Sequence, residues 1–243
     1  MRIDIHSHII PKIDDGSRSI EETFNLVKEA YNAGFRKIFC TSHYMEDNYE
    51  ASIADREAII KILQKKLDED KIDIKLYNGC EVFITPDIDE LLRQGKVGTL
   101  NNTRYLLMEL PLNTEVNYWE EMLYKLASMS IVPIIAHPER YNCVQKDIKL
   151  CDRMIELGAI LQSNYASTIG YYGHHAKKTV MKLLKEDKIS FLGSDVHRAN
   201  SIYPQIDEIC ANLEKKIGKQ KLIELTETNP EKVIENIEIS REW

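Results

Sequence analysis

The sequence predicts an α/β protein whose parallel strands form a closed or nearly closed barrel. Seven short apolar runs alternate with amphipathic segments along the 243 residues, and strands joined through helices run parallel with right-handed crossovers. All but one of these runs end near a histidine, aspartate or glutamate, and in such barrels functional side chains collect at the carboxyl ends of the strands. An open doubly wound sheet is the alternative, but no glycine-rich nucleotide loop supports it.

The seven predicted strands are short, and the segments between them have the periodicity of amphipathic helices. No linker, repeat or low-complexity tract divides the chain, so we expect one domain over residues 1–243. The predicted strands cover residues 2–6, 36–41, 74–79, 105–109, 132–136, 158–162 and 189–193.

Several helix boundaries carry recognisable signals. Ser19 and Glu22 have the spacing of a capping box at the start of the first helix, and Gly34 can end that helix in a left-handed conformation. Asn117 is placed to begin a later helix in a similar way. Asn229, followed by a proline, is expected to cap the last helix, because proline is favoured in the first turn.

Composition limits the classes of function. The formal net charge is −7 and lysine and arginine form no block, so nucleic acid is not expected as the main partner. No apolar run approaches the ~20 residues of a membrane span, and the N-terminus lacks a signal-peptide pattern. The five cysteines are scattered without a CxxC pair, which is typical of reduced thiols. We therefore expect a cytoplasmic protein, and the sequence leaves a homo-oligomer open.

The candidate site residues follow the predicted strands. His6 and His8 are two residues apart at the end of the first strand, so their imidazoles share a face and suit a metal ion. Asp195 and His197 repeat this spacing after the last strand, and the sixth strand alone has no obvious ligand at its end. The nine candidate ligands around one barrel mouth are His6, His8, Asp15, His43, Glu81, Glu109, His137, Asp195 and His197.

A lone histidine or glutamate after a strand is more often structural than functional, but the joint pattern is different. Five of the seven histidines lie at strand ends. Nine ligands exceed the four that usually satisfy one zinc ion, so we expect two or three ions a few ångströms apart. Imidazoles and carboxylates without thiolate favour Mn²⁺, Fe²⁺ or Zn²⁺ over Ca²⁺. His174 and His175 are predicted at the surface, and Cys80 in the core.

The charge of such a cluster indicates its substrate. Three divalent ions would bring +6 and the four carboxylates among the nine ligands bring −4, which leaves about +2. A phosphate ester is the natural ligand of a positive pocket in a protein that is negative elsewhere. Arg140, just after the fifth strand, is placed to contact phosphoryl oxygens.

Short motifs surround the candidate ligands along nearly the whole chain. They are DIHSHI at 4–9, DDG at 14–16, TSH at 41–43, GCE at 79–81 with TPD at 85–87, Glu109, AHPERY at 136–141, SDVH at 194–197 and Asn229-Pro230. With these motifs the chain resembles the PHP (polymerase and histidinol phosphatase) superfamily. More closely, it is similar to the bacterial manganese-dependent protein-tyrosine phosphatases that regulate capsule and exopolysaccharide synthesis, because HxH is common across the superfamily, whereas HPERY and DDG together are typical of the phosphatases.

This resemblance implies a distorted (β/α)7 TIM-like barrel that holds three divalent metal ions, with Mn²⁺ as the expected metal and Fe²⁺ or Zn²⁺ as alternatives. By position, the nine ligands would divide among the three ions, and Glu81 would bridge the first and the second. The three implied sets are His6, His8, Glu81 and Asp195; Glu81, Glu109 and His137; and Asp15, His43 and His197.

The resemblance also implies a substrate and catalytic residues. The substrate would be phosphotyrosine, notably on a cognate bacterial tyrosine kinase that controls polysaccharide chain assembly. Arg140, Asp195 and His197 would be catalytic, and Arg140 would bind the phosphate. The family often carries a second phosphate-contacting arginine several residues after the last metal histidine. Here Arg198 follows that histidine directly and is the candidate substitute.

The expected reaction is hydrolysis of a phosphomonoester by a metal-bound hydroxide, with Glu139 or His197 as candidate proton donors. A thiol-based phosphatase is excluded, because no cysteine is followed by five residues and then an arginine. A PHP-type phosphatase for a small molecule such as histidinol phosphate stays open as the alternative, since the metal residues do not separate the two. A polymerase proofreading module and a non-catalytic metal-binding scaffold are less favoured.

Overall fold

A barrel of parallel strands is the central feature of the computed structural model, which describes residues 1–239. The expected single domain extends over residues 1–243, so its last four positions lie outside the described residues. Every strand pair in the described range is parallel, as the alternation of strands and helices predicts. The strands are β1 (Arg2–Asp4), β2 (Phe35–Cys40), β3 (His43–Tyr44), β4 (Lys75–Asn78), β5 (Glu81–Phe83), β6 (Tyr105–Glu109), β7 (Val132–Ala136), β8 (Ile160–Asn164) and β9 (Phe191–Gly193).

Two hydrogen-bonded sheets join to close the barrel. One has the order β1-β2-β4 and the other the order β3-β5-β6-β7-β8-β9. The amide of Thr41 donates to the Ser7 oxygen, and the amide of Glu81 donates to the Thr41 oxygen, both at 2.9 Å. On the other side Ser7 forms a parallel bridge with Val196, whose oxygen accepts from the His8 amide at 3.0 Å. These contacts connect the edges of the two sheets, so the barrel is the correct alternative to an open sheet.

Two short strands that were not predicted follow the second and third predicted strands. The predicted strands are observed as β2 and β4, and β3 and β5 continue them after breaks of two residues each. Gly79 lies at the second break, where an added Cβ would approach the Leu100 side chain to 2.7 Å. Beyond the breaks β3 pairs with β5, and the register sets His43 opposite Glu81. The interruptions therefore distort the barrel in a way that brings two predicted ligands together.

The other strand boundaries differ from the predictions in a few positions. β6 and β7 have the predicted bounds, whereas β8 begins and ends two residues later than expected. β1 ends at Asp4 instead of residue 6, because the chain beyond it pairs with the segment after β9. There the Asp195 amide donates to the His6 oxygen at 2.9 Å.

Helices cover the outside of the barrel. At the first helix Ser19 Oγ accepts the amide of Glu22 at 3.1 Å, which confirms the predicted cap. The Glu22 carboxylate, however, accepts from the Arg18 amide at 2.7 Å. Gly34 follows the helix with φ +83°, as predicted. The helices are α1 (Ile20–Asn32), α2 (Ile53–Glu69), α3 (Ile88–Arg93), α4 (Trp119–Ser128), α5 (Asn142–Lys146), α6 (Lys149–Glu156), α7 (Tyr165–Ile169), α8 (His174–Lys185), α9 (Ile206–Ile217), α10 (Lys219–Ile223) and α11 (Asn229–Ile234), with a π-helical segment at Glu224–Thr228.

Two of the predicted caps are wrong. Helix α4 follows Tyr118 and has no side-chain cap, so Asn117 does not begin it. Asn229 has helical angles, φ −68° and ψ −43°, because the chain enters α11 directly from the π-helical segment. A capping residue needs an extended backbone instead. The Asn229 amide group is used in another way, since its Nδ2 donates to the oxygen of Ser190 at 3.0 Å.

The hydrophobic core has an inner and an outer layer. Ile5, Phe39, Leu107 and Phe191 are fully buried in a cluster inside the barrel, and a larger cluster fills the space between strands and helices. Full burial of such side chains contributes about 1.5–3 kcal/mol each. Residues two apart on a strand share a face, so the inward face of β6 that carries Leu107 also carries Glu109 at its carboxyl end. The inner layer thus forms an apolar floor beneath the polar mouth.

Candidate metal centre

The carboxyl ends of the strands meet at one mouth of the barrel, and all nine predicted ligands lie there. His137 Nε2 is 3.1 Å from Glu81 Oε1, and Asp195 Oδ1 is 3.4 Å from His8 Nε2. Apart from His137 and Asp195, the predicted ligands fall into three overlapping groups, in each of which the candidate ligand atoms are all within 4.8 Å of one another. The groups are His8, Asp15, His43 and His197; His6, His8 and Glu81; and His43, Glu81 and Glu109.

Glu81 lies at the centre of this arrangement. Its Oε2 is 3.1 Å from His6 Nε2, 3.3 Å from His8 Nε2 and 3.1 Å from His43 Nδ1. The side chain is fully buried, yet this oxygen has no hydrogen-bond partner among the described residues. An unpartnered buried carboxylate oxygen is costly, whereas imidazole nitrogens and a carboxylate oxygen that converge on one point suit a divalent cation. The residues present therefore fit a metal centre.

The two carboxylate oxygens of Asp195 have different neighbours: one faces the candidate ligands, and the other accepts hydrogen bonds. Oδ1 lies 3.6 Å from both His6 Nε2 and His197 Nδ1. Oδ2 accepts hydrogen bonds from Arg140 at 2.7 Å and from Asn164 Nδ2 at 2.6 Å. The backbone of Asp195 has φ +52°, a strained conformation for a residue with a side chain. Such strain is typical of functional sites, where surrounding contacts hold it in place.

An outer group of ligands opens toward solvent. Asp15 Oδ1 lies 3.7 Å from His43 Nε2 and 3.4 Å from His197 Nε2, and the Asp15 side chain is half exposed. The buried His8 ring stacks on His197 with centroids 4.0 Å apart. The family resemblance implies that His8 binds only the first ion, together with His6, Glu81 and Asp195. Because of this stacking, its ligand atom also lies within reach of the outer group.

Acceptors that the sequence analysis did not assign to the site orient the histidines. Asp14 Oδ2 accepts from His8 Nδ1 at 2.8 Å and from the His43 amide at 2.9 Å. Gln162 Oε1, on β8, is 2.8 Å from His6 Nδ1. Each Nδ1 therefore carries the proton, which leaves Nε2 of both rings as a ligand atom. The signals were present in the DDG motif and in the polar end of the sixth strand.

Glu139 has a structural role. It is fully buried and accepts hydrogen bonds from Ser163 Oγ at 2.8 Å, Ser167 Oγ at 2.6 Å and the Asn164 amide at 2.9 Å. Both of its oxygens are thus occupied. These hydrogen bonds link the chain after β7 to β8 and α7, so Glu139 is not available as a proton donor.

The pKa values of the carboxylates indicate an excess of negative charge. Burial raises the pKa of Glu109 to about 9, and the charges of Glu81 and Asp195 add to this effect. Burial alone would also raise the pKa of Glu81, but His6 and His43 hold it well below its usual range. The positively charged side chains of the site therefore do not balance its carboxylates. Bound divalent cations would supply the missing positive charge.

The histidines differ in protonation. Burial lowers the pKa of His43 to about 4, so its ring is neutral near pH 7 and offers a lone pair. Burial would also lower the pKa of His8, but hydrogen bonds to Asp14 and Asp195 raise it well above its usual value. A cation at the centre must displace the proton that His8 would otherwise hold.

Both predicted phosphate-binding arginines border one cavity. Arg140 pairs with Asp195, and Arg198 donates to the backbone oxygens of Gly16 and His197, the latter at 2.8 Å. Both residues line a cavity of about 240 Å³ that Asp195 and His197 also border. Arg198 is thus near the position expected of a second phosphate contact, although backbone oxygens already engage it.

The residues expected to lie outside the site do so. His174 and His175 are exposed at the start of α8, and Cys80 is buried with its Sγ 3.3 Å from the Gly98 oxygen. All five cysteines are free, and burial raises the pKa of Cys151 to about 12. No helix of the described residues is long and apolar enough to cross a membrane.

Comparison with known proteins identifies relatives along nearly the whole chain. Residues 2–235 match the model of a family described as capsular polysaccharide synthesis, CpsB/CapC. The tyrosine-protein phosphatase CpsB of Streptococcus pneumoniae is 32% identical over 240 residues, which cover 96% of this chain and 98% of that protein. The tyrosine-protein phosphatase YwqE of Bacillus subtilis is 30% identical, with 99% of this chain and 94% of that protein covered.

Solved structures agree with this result. A structure from the study of YwqE of Bacillus subtilis and CpsB of Streptococcus pneumoniae, described as unique metal-dependent tyrosine phosphatases, matches with a TM-score of 0.92. It is 29% identical and the match covers 99% of this chain and 97% of that one. A histidinol phosphate phosphatase of Lactococcus lactis has a TM-score of 0.57 at 16% identity, over 88% of this chain and 94% of that one, which is a likeness of fold alone.

Proposed function

Because this chain belongs to the CpsB/CapC family of capsular polysaccharide synthesis, we propose that it is a metal-dependent protein-tyrosine phosphatase of capsule or exopolysaccharide synthesis. The observation that carries the proposal is the convergence of three imidazoles on the buried Glu81 Oε2, which has no hydrogen-bond partner within residues 1–239. Beside this cation site Arg140 offers a guanidinium group to a phosphoryl group.

We propose that the centre holds three divalent ions, with Mn²⁺ as the native metal and Fe²⁺ or Zn²⁺ as alternatives. Imidazole and carboxylate ligands suit all three metals. His8, His43 and Glu81 each belong to two of the three groups of neighbouring ligand atoms, which supports a cluster of neighbouring ions instead of separate sites. The proposed ligands are His6, His8, Glu81 and Asp195 for the first ion, Glu81, Glu109 and His137 for the second, and Asp15, His43 and His197 for the third.

When bound, the ions polarise phosphoryl oxygens and lower the pKa of a water molecule to about 7. Arg140 stabilises negative charge on the phosphoryl oxygens, and its contact with Asp195 Oδ2 at 2.7 Å holds it in position beforehand. His197 Nδ1 faces the carbonyl oxygen of Asp195 at 2.9 Å, so this nitrogen carries the proton and Nε2 is the ligand atom. With both of its nitrogens in use, His197 would not protonate the leaving group. A tyrosine leaving group suits such a site, because a phenol with a pKa of about 10 needs less protonation than an alkyl alcohol.

We propose that the protein substrate is a cognate bacterial tyrosine kinase, as the family resemblance implies, and that Arg198 assists Arg140 in phosphate binding. A cytoplasmic location is part of this proposal and agrees with the five free cysteines. Hydrolysis of phosphotyrosine on the purified, autophosphorylated kinase would test the partner. Loss of label from the kinase at the rate seen with a peptide, or more slowly than the peptide, would count against a dedicated pair.

Metal removal tests the activity itself. We expect the chelated protein to be inactive on a phosphotyrosine peptide and to recover with Mn²⁺, less with Ca²⁺, because the ligands include imidazoles. Thiol alkylation should leave the activity unchanged. Turnover of histidinol phosphate on the same preparation should be slower than turnover of the peptide. Full activity of the chelated protein, or a preference for histidinol phosphate, would contradict the proposal.

Two ligand variants test the mechanism. Asp195→Ala and His137→Ala should each lower kcat by at least about 100-fold while circular dichroism remains that of the folded protein, because each removes a ligand of the cluster. His175→Ala is the matched control, since this histidine is exposed on α8 and lies outside the centre. If both ligand variants keep full activity, the mechanism is wrong.

A further inference from the structure

The cavity of about 240 Å³ beside the metal centre has a wall to which the mechanism assigns no role. The cavity is lined by charged groups, among them Asp195 and Arg140, and by two consecutive tyrosines, Tyr171 and Tyr172. A cavity of about 150 Å³ can hold a benzene ring. The present cavity is large enough for an aryl group together with part of a phosphoryl group.

Tyr172 holds Arg140 in place. The Arg140 Cζ atom lies 4.2 Å from the centroid of the Tyr172 ring. The tyrosine hydroxyl is 3.4 Å from Asp195 Oδ2, the same oxygen that accepts from Arg140 at 2.7 Å. A guanidinium group that is fixed between an aromatic face and a carboxylate loses little further freedom when phosphate binds. Tyr172 is therefore a positioning residue that acts through Arg140.

Tyr171 borders the same cavity and has an exposed ring. Its relative exposure is 65%, and its ring packs edge to face on Tyr172, with centroids 5.1 Å apart and an interplanar angle of 82°. The backbone fixes this position, because Gly170 turns the chain with φ +90° and the Tyr171 amide donates to the Ala166 oxygen at 3.1 Å. An exposed ring held beside a phosphate-binding arginine is suited to pack against an aromatic ring of a substrate.

We propose that Tyr171 and Tyr172 form an aryl-recognition wall, in which Tyr171 contacts the phenyl ring of phosphotyrosine and Tyr172 positions Arg140 for its phosphoryl group. This inference rests on the proposed function and deepens it. The site selects aryl over alkyl phosphomonoesters at the binding step. Edge-to-face and offset aromatic pairs give roughly a two- to tenfold gain in affinity beyond the burial of apolar surface.

Calorimetric binding of two non-hydrolysable probes to the Mn²⁺-loaded protein tests the wall without any turnover. Benzylphosphonate should bind about two- to tenfold more tightly than butylphosphonate. Tyr171→Ala should lose most of this preference and keep the affinity for inorganic phosphate, because it removes the ring contact alone. Tyr171→Phe, which keeps the ring, should restore the preference. Tyr172→Leu should instead weaken phosphate and both phosphonates by a similar factor, because Arg140 is no longer held.

Tyr124→Ala is the matched control, since Tyr124 is an exposed tyrosine on α4 and should affect none of the three affinities. Equal affinity of the wild-type protein for the two phosphonates would overturn the wall, and this comparison does not depend on the folding of any variant. Retained preference in Tyr171→Ala, or an equal loss of phosphate and benzylphosphonate binding, would overturn it too. Absence of phosphotyrosine hydrolysis together with a clear aryl preference would refute the proposed function and leave the wall intact.

Discussion

At the residue scale, the hydrogen-bond partners of each histidine decide which nitrogen can bind a metal. His6 donates from Nδ1 to Gln162, and His8 donates from Nδ1 to Asp14. Each Nε2 is thereby directed toward Glu81 Oε2. The HxH spacing predicts the two rings but not their acceptors. The acceptors belong to a loop and to β8, and the distance along the chain does not indicate which polar residue will meet which ring.

A close contact with the backbone explains why the third residue of the DDG motif is glycine. An added Cβ at Gly16 would lie 2.2 Å from the His8 oxygen, a distance that no side chain tolerates. The Gly16 amide in turn donates to Asp14 Oδ1 at 2.9 Å, and the Ser17 amide donates to the His8 oxygen at 3.0 Å. The loop is therefore folded tightly over His8, which keeps both aspartates at the barrel mouth.

Asp14→Ala should weaken Mn²⁺ binding by about 10- to 100-fold, because loss of an orienting partner usually costs that much. The variant also leaves the His8 ring and two backbone amides without their acceptor, which should lower the free energy of unfolding by about 1–3 kcal/mol. Mn²⁺ titration and urea unfolding of the metal-free protein measure the two effects. Asp73→Ala, at an exposed site, is the control, and equal Mn²⁺ affinity in the two variants would contradict the orienting role.

At the scale of secondary-structure elements, the same capping signal has two outcomes. Ser19 has an extended backbone and its Oγ accepts the amide of Glu22, so it is an N-cap as predicted. Asn229 carries a similar signal but lies within a continuous helical run, and its side chain is hydrogen-bonded to the backbone before β9. The local sequence at Asn229 favours a helix start. The packing of the C-terminal helices against the barrel instead keeps this residue within a continuous helix.

Asn229→Ser separates the two roles. Serine is as good an N-cap as asparagine, so a capping role predicts almost no change. The shorter serine side chain does not reach the Ser190 oxygen, so the observed role predicts a loss of about 1–3 kcal/mol in the free energy of unfolding. Ser19→Asn is the control at a real cap and should be tolerated. Urea unfolding measures both, and an Asn229→Ser variant as stable as wild type would rule out the side-chain tie.

At the scale of the whole molecule, barrel closure concentrates carboxylates that would repel one another. The chain has a net charge of −7, and the carboxylates among its candidate ligands come from loops and strands far apart in the sequence. Burial and the neighbouring charges of Glu81 and Asp195 hold Glu109 protonated near neutral pH, with a pKa of about 9. Cations at the centre would remove this repulsion, so metal binding and stability should be coupled.

The metal-free protein should lose stability as the pH rises from about 6.5 to about 8.5. The folded pKa values of Glu109 and His8 are raised, so over this range the folded state binds more protons than the unfolded state, and its stability falls as they are released. Mn²⁺ needs the deprotonated ligands, so its affinity should rise over the same range. Thermal unfolding with and without Mn²⁺, and calorimetry in two buffers, would measure the stability change and the released protons.

Glu109→Gln provides the control for this coupling, because it removes one titrating group and should flatten the pH dependence of the metal-free protein. A metal-free protein whose stability rises over this range, or Mn²⁺ binding without proton release, would contradict the assigned protonation states.

The sequence by itself determined the class of fold and the family, and it named the nine candidate ligands. Alternation of short apolar runs with helical segments predicts a parallel barrel, and residues at strand ends must gather at one mouth, so His6, Glu109 and Asp195 could be named in advance. The family and the barrel class are confirmed. These features depend on local periodicity and on short motifs, which a single chain displays directly.

Only the tertiary structure decided how these residues divide their contacts. It assigned His8 to two ligand groups, gave Glu139 a structural role and set Tyr172 against Arg140. Each outcome depends on distances of a few ångströms between segments that are far apart in sequence. Those distances are fixed by the interrupted strands, the closure of the barrel and the strained turn at Asp195, and no local pattern encodes them.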